Sequence, residues 1–340
     1  MHMPSHRPFV LRRHLNKARW FTLSLVFALL VALPFVHLYQ TYAAAHAYDL
    51  LSPSERQIYD VMEALTGPFT DDPAADLDAI KGNTWSATFW SLKVSDPLAP
   101  LGQMAAGLSV PSLSFNWPFV ITALIPVILT IVFGRFFCGW ICPATLIYEL
   151  NSNLAAWLRW AGINVGNRHL DRRIKYAVLG AGLIGSMVTG SVLVAGIYPP
   201  AIIGREIYYA VALGGFGAGA VFFLATLLFD LLVARRGFCR TICPGGALYA
   251  LLGRYRLLRI QRTVEDCNDC AKCNAVCEFG LDPLRDGFGQ ECNNCTACMA
   301  ICPTDALTFN LRLADLAAQG PGHLGKRYRR QHEPIIDEAA

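Results

Sequence analysis

Through its first 235 residues the chain alternates between long apolar stretches and short basic clusters. Four apolar runs, at 20–39, 117–137, 176–198 and 208–233, approach the ~20 residues that a helix needs to cross a bilayer. Charged residues interrupt them only late, at Arg135 and Asp230. Trp20, Tyr39, Trp117, Tyr176, Tyr198 and Tyr208 mark their edges, as aromatic residues do at a membrane interface. The pattern predicts an α-helical membrane module of four spanning helices.

Lysine and arginine positions orient these spans. Basic residues cluster before the first run (Arg7, Arg12, Arg13, Lys17, Arg19), between the second and third (Arg159 to Lys175), and after the fourth (Arg235, Arg236, Arg240 and beyond). The segment between the first and second runs is acidic. The expected order is therefore a cytoplasmic amino terminus (1–19), a first span (20–43), an external loop (44–115) and a second span (116–137). A cytoplasmic connector (138–175), a third span (176–198), an external turn (199–207) and a fourth span (208–234) follow. A cytoplasmic linker (235–262), a small α+β domain (263–312) and a tail (313–340) complete the chain. The opening RRHLNKARW, an apolar run and AAAHA also imitate a cleavable twin-arginine signal. The long run and the spans that follow favour an uncleaved anchor.

Composition agrees with a membrane protein. Of 340 residues, 54% are hydrophobic and 16% charged, and the mean hydropathy is +0.36. A net charge of +4 gives no reason to expect a nucleic-acid partner. GAGLIG, at 180–185, fits a dinucleotide fingerprint but lies inside a spanning run with no preceding strand, so its glycines are read as helix-packing residues.

The chemistry lies in the 12 cysteines. CNDCAKCNAVC and CNNCTACMAIC both read C-x2-C-x2-C-x3-C, the bacterial ferredoxin spacing. Three thiolates in a tight loop reach three irons of one cube, and the fourth points to the other cube. That rule assigns Cys267, Cys270, Cys273 and Cys302 to one [4Fe-4S] cluster. Cys277, Cys292, Cys295 and Cys298 hold the second. Thiolate quartets also bind zinc, but the doubled spacing with Cys302-Pro303 favours iron and sulfur. Glu278 replaces the proline expected after Cys277, which alters the loop and removes no ligand.

The remaining four cysteines form two hairpins, FCGWICP at 137–143 and FCRTICP at 238–244. Phe137, Cys138, Ile141, Cys142, Pro143 and Tyr148 recur at Phe238, Cys239, Ile242, Cys243, Pro244 and Tyr249, an internal repeat. Repeated helix–hairpin units predict two pseudo-symmetric halves. Three readings of Cys138, Cys142, Cys239 and Cys243 stand open: a shared metal or iron-sulfur site, a redox-active dithiol, and a structural role. Nearby arginines would favour thiolates. His37 is read as a packing residue, Asp230 as snorkelling to water, Trp85 and Trp90 as outer-surface residues, and GKRYRR at 325–330 as a solvated or headgroup-facing segment.

These features together resemble the NapH/MauN-type membrane ferredoxins, which are related to the NosR regulators and the CcoG-type assembly proteins. The resemblance rests on the spans, both C-x3-C-P hairpins, the paired quartets and NTWSATFWSLKVSDPLA at 83–99. It implies a multi-pass protein of the bacterial inner membrane, both termini cytoplasmic, that relays electrons from quinol to a ferredoxin-like or cytochrome partner. A redox factor for maturation or regulation of a metalloenzyme is the alternative. Neither a flavin-attachment motif nor a C-x-x-C-H haem site is present in the sequence.

Overall fold

A computed structural model describes residues 8–46, 48–69, 77, 80–82, 86–89, 92–109, 117–163, 165–166, 168, 170–285 and 287–311. In chain order the first elements are α1 (Pro8–Ala44), α2 (Pro53–Thr66), β1 (Ile80–Gly82), β2 (Ser86–Phe89), β3 (Leu92–Ser95) and α3 (Leu98–Gly107). Next come α4 (Trp117–Thr122), α5 (Leu124–Phe133), a π-turn (Phe137–Ile141), α6 (Pro143–Trp160), α7 (Ile174–Thr189), α8 (Pro199–Ala212) and α9 (Ala218–Leu232). The last are α10 (Gly237–Thr241), α11 (Pro244–Leu252), β4 (Leu258–Arg262), α12 (Lys272–Val276), α13 (Ala297–Ile301) and β5 (Leu307–Leu311). Trp85, Trp90 and the 325–330 tail lie outside the described residues.

Two compact units emerge, and each is built from separated pieces of chain. One contains residues 21–128 and 141–248; the other contains 1–20, 129–140 and 249–340. In the first, α3 packs on α7, α8 on α9, and α6 on both α8 and α9. Its core gathers Leu30, Leu98, Tyr148, Leu179, Tyr198 and Phe238. Strands β1, β2 and β3 form an antiparallel sheet in chain order. In the second unit β4 pairs antiparallel with β5, from Leu258 opposite Leu311 to Arg262 opposite Leu307.

The expected spans are shorter and more broken than the apolar runs. Among the described residues one helix, over 14–44, is long and apolar enough to cross a membrane, and 117–133, 174–189 and 218–232 are shorter apolar helices. Pro126 has no N–H for the Thr122 carbonyl, and the chain turns at Ala123 between α4 and α5. Gly190, at φ 65°, caps α7 in the left-handed region, and 193–197 continues as a 3-10 turn. The run at 208–234 is two helices, because Gly214, at φ 65°, breaks it between α8 and α9. The expected turn at 199–207 belongs to α8, which Pro199 starts from its first position.

The short helices in the first unit are apolar outside and polar inside. On α9, Val221, Leu224, Leu228 and Leu232 are exposed, while Gly219, Thr226 and Asp230 are buried. On α7, Ile184, Met187 and Val188 are exposed, while Lys175 and Ser186 are buried. An amphipathic helix on a water-soluble core has the opposite arrangement.

Candidate metal centre

The two cysteine quartets lie on one repeated backbone. Asp269 and Ala271 have φ of 52° and 55°, and Asn294 and Thr296, each 25 positions later, have 51° and 62°. Gly280 at 57° and Asp305 at 58° keep the same offset. Left-handed residues on either side of Cys270 and Cys295 fold each loop back, so that its thiols turn to one side. Each loop ends in a five-residue helix, α12 and α13, and the two helices pack together.

Cys267, Cys270, Cys273 and Cys302 line one cavity, with Arg262, Lys272, Thr304 and Leu307 among its walls. Burial raises the Cys273 thiol, and the nearby Cys302 and Cys267 raise it further. Burial pushes the Cys295 thiol up to about 11, with Cys292 and Cys277 adding to the rise and Arg19 opposing it. Burial likewise drives Cys298 well upward, reinforced by Cys295, Cys292, Cys277 and Cys273. Cys277 thus acts on thiols of the second quartet, and Cys273, from the other expected group, acts on Cys298 as well. Buried thiolates crowded this closely need a cation to be stable.

Among the described residues, no three His, Cys, Asp or Glu side chains close on a point as the ligands of one metal ion do. The first quartet instead stands around a void, which suits a cluster bound at its corners. Beside the second quartet, Thr296 Oγ1 and Arg256 Nε are buried without a hydrogen-bond partner among the described residues. The cavity at the first quartet fits an iron-sulfur group.

The first hairpin holds the second quartet's loop. Trp140 Nε1 donates to Asn294 O at 3.0 Å, and Asn294 Nδ2 donates to Phe133 O at 2.8 Å and Leu258 O at 3.2 Å. Arg135 pairs with Glu291 at 2.5 Å, with both side chains nearly buried. Gly139 lies so close that an added Cβ would sit 2.5 Å from Asn293 O. Local sequence patterning gave no sign of this docking by Asn293, Asn294 and Glu291; the glycine in FCGWICP, where the second copy has Arg240, was the available signal.

The second hairpin is enclosed in the helical unit. Arg236, the repeat partner of Arg135, pairs there with Glu149 at 3.0 Å. Cys142, Cys239 and Cys243 share the core cluster of this unit, and the charges of Cys243 and Cys142 act on Cys239. Cys138 belongs with the other unit. Each repeat's tyrosine serves the other repeat's hairpin. Tyr249 stacks on Phe137 with ring centroids 5.0 Å apart, and Tyr148 lies under the Arg236 guanidinium.

Two acidic residues, Asp230 and Asp96, are placed unexpectedly. Asp230 does not reach water: it is 5% exposed, and its Oδ1 accepts the Phe238 N–H at 2.7 Å. We expect Asp230→Ala to lower stability by about 1.5–3 kcal/mol, read as an earlier midpoint in thermal unfolding in detergent; an unchanged midpoint would refute that role. His37 packs edge-on against Tyr208. Asp96, from the acidic segment, accepts the Tyr198 hydroxyl at 2.6 Å. The Tyr198 ring fits against Gly245, where a Cβ would meet its Cε2 at 2.3 Å.

Comparison with known proteins places this architecture. A family profile described as "4Fe-4S binding domain" matches residues 115–161 and 216–263, the two hairpin segments and not the quartets. The chain is 34% identical over 213 residues to the ferredoxin-type protein NapH of Escherichia coli, covering 62% of this chain and 70% of that protein. It is 32% identical over 213 residues to the methylamine utilization ferredoxin-type protein MauN of Methylorubrum extorquens, with the same two coverages. The regulatory protein NosR of Stutzerimonas stutzeri is 29% identical over 182 residues, which are 50% of this chain and 23% of that protein. No solved structure matches. With the doubled hairpins, the doubled quartets and this coverage, the chain belongs to the NapH/MauN family of ferredoxin-type proteins.

Proposed function

We propose that this chain is a multi-pass membrane protein that transfers single electrons through two [4Fe-4S] clusters, from quinol to a redox partner. The observation that carries the reading is the pair of quartets on one repeated backbone, with the second seated on the first hairpin. The clusters would supply one-electron storage; the chain's residues hold, orient and shield them. Cys267, Cys270, Cys273 and Cys302 would ligate one cluster, and Cys277, Cys292, Cys295 and Cys298 the other.

The inside-out helices support several passes through lipid. Helices α7 and α9 have 16 and 15 residues, about 23 Å at 1.5 Å per residue, against a hydrocarbon core of ~30 Å. The 3-10 turn after α7 extends that path. The Arg19 contact with Gly139 O, at 2.7 Å, supports an uncleaved first helix. Amino-terminal sequencing should therefore find the purified protein intact through Arg19; a mature start near Tyr48 would refute the anchor.

Electrons must pass between the membrane module and the quartets. The matched profile covers Cys138, Cys142, Cys239 and Cys243, for which the metal, dithiol and structural readings stand open beside the two clusters. The Asp96–Tyr198–Gly245 contact ties the acidic segment to the second hairpin, a physical link that the sequence left open.

The test is anaerobic addition of a low-potential quinol to the purified protein, followed by EPR. Reduced iron-sulfur signals are expected. Clusters that stay oxidised would sink the quinol reading and leave the maturation or regulatory role, for which the NosR match speaks.

A further inference from the structure

Two buried arginines are fixed next to the segment that carries the second quartet. Arg19 is 2% exposed, and its Nε donates to Gly139 O at 2.7 Å. Arg256 is 6% exposed, and its Nη1 donates to Gly289 O at 2.7 Å. Gly134, at φ 69°, makes room for the Arg256 stem: a Cβ there would lie 2.4 Å from Arg256 Cδ. The charge of Arg19 acts on Cys295, and Arg256 interacts with Cys292. Both are held in place through backbone carbonyls, so their position is built into the fold.

The first quartet has a different setting. Cys270 is exposed. Its basic neighbour Arg262 pairs at 3.2 Å with Asp269, whose side chain is 74% exposed. Water and salt screen charges placed there, but screen buried ones far less.

A cluster on four thiolates is anionic, and the electron it takes up makes it more so. No bond forms or breaks in that step, and the donor loses the electron. Burial opposes the added charge, and a fixed nearby cation favours it, so net charge and exposure set the reduction potential. We propose that Arg19 and Arg256 are charge-compensating residues that raise the reduction potential of the group held by Cys277, Cys292, Cys295 and Cys298, and of that group alone. This rests on the two-cluster reading above. The arginines are positioning residues: they keep the buried site reducible without ligating it.

The experiment is an EPR-monitored redox titration of the purified full-length chain and of Arg256→Gln, Arg256→Lys and Arg19→Gln. Each glutamine variant should move one of two redox waves to lower potential, the wave that Cys298→Ser removes, while the other stays in place. Arg256→Lys should restore most of the shift. Glutamine variants that lose the second cluster outright, with iron lower by about four per chain, would assign the arginines to holding the site and overturn the proposal. Waves that move together or not at all, or a lysine variant as impaired as the glutamine one, would overturn the proposal. A wild-type protein without iron-sulfur signals would instead overturn the two-cluster reading.

Discussion

Cys277→Ser should remove the same cluster as Cys298→Ser, although Cys277 belongs to the first sequence quartet. Cys302→Ser should correspondingly copy Cys270→Ser. Each change should lower iron by about four per chain and leave one uncoupled EPR signal. The reason is geometric. The fourth cysteine of each motif leaves its loop at the end of a five-residue helix, and α12 and α13 pack against each other. Cys277 then acts on Cys295 and Cys298, and Cys302 acts on Cys273. Iron and sulfide counts with EPR on the four variants decide the matter. If Cys277→Ser behaves like Cys270→Ser, the crosswise ligation is wrong.

Gly139→Val should loosen the loop of the second quartet without touching a cysteine. The first atom of any side chain at 139 would lie 2.5 Å from the Asn293 carbonyl oxygen, a distance real contacts do not show. Backbone cannot swing aside as a flexible side chain can, so we expect overpacking to cost roughly 1–3 kcal/mol or more. The Trp140 and Arg19 hydrogen bonds lie on the same turn and should weaken with it. Limited proteolysis should cut 289–296 faster in the variant, and the second cluster should bleach first in air. Equal protease resistance in both proteins would show that this turn does not hold the loop. Arg240, at the equivalent position of the second hairpin, shows that the repeat does not itself demand glycine there.

Much of the candidate site was legible because cysteine spacing is local. A C-x2-C-x2-C-x3-C loop places its thiols through a few backbone angles, and the same left-handed residues recur 25 positions apart. The offset that aligns the hairpins was equally plain, and the family profile matches the chain twice, once at each copy. Spans were less legible. An apolar run records burial in lipid or core but not where a helix ends. Ala123, Gly190 and Gly214 end or interrupt helices inside runs that hydropathy reads as continuous. Asp230 was misread for a related reason: its position near a helix end suggested water, while the acceptor it provides is used by the backbone of Phe238.

By itself the sequence determined the two ferredoxin quartets, the duplicated hairpins and the apolar character of the helices, since each is written in spacings within one short segment. Only the tertiary structure decided what the two hairpins do differently. Arg135 and Arg236 occupy the same repeat position, yet one pairs with Glu291 beside the second quartet and the other with Glu149 among the helices. The partners lie 156 and 87 residues from their arginines, as 291 less 135 and 236 less 149 give. No local periodicity connects positions so far apart. Their pairing follows from which surfaces the folded chain buries together, where an ion must find its counter-ion because water is excluded.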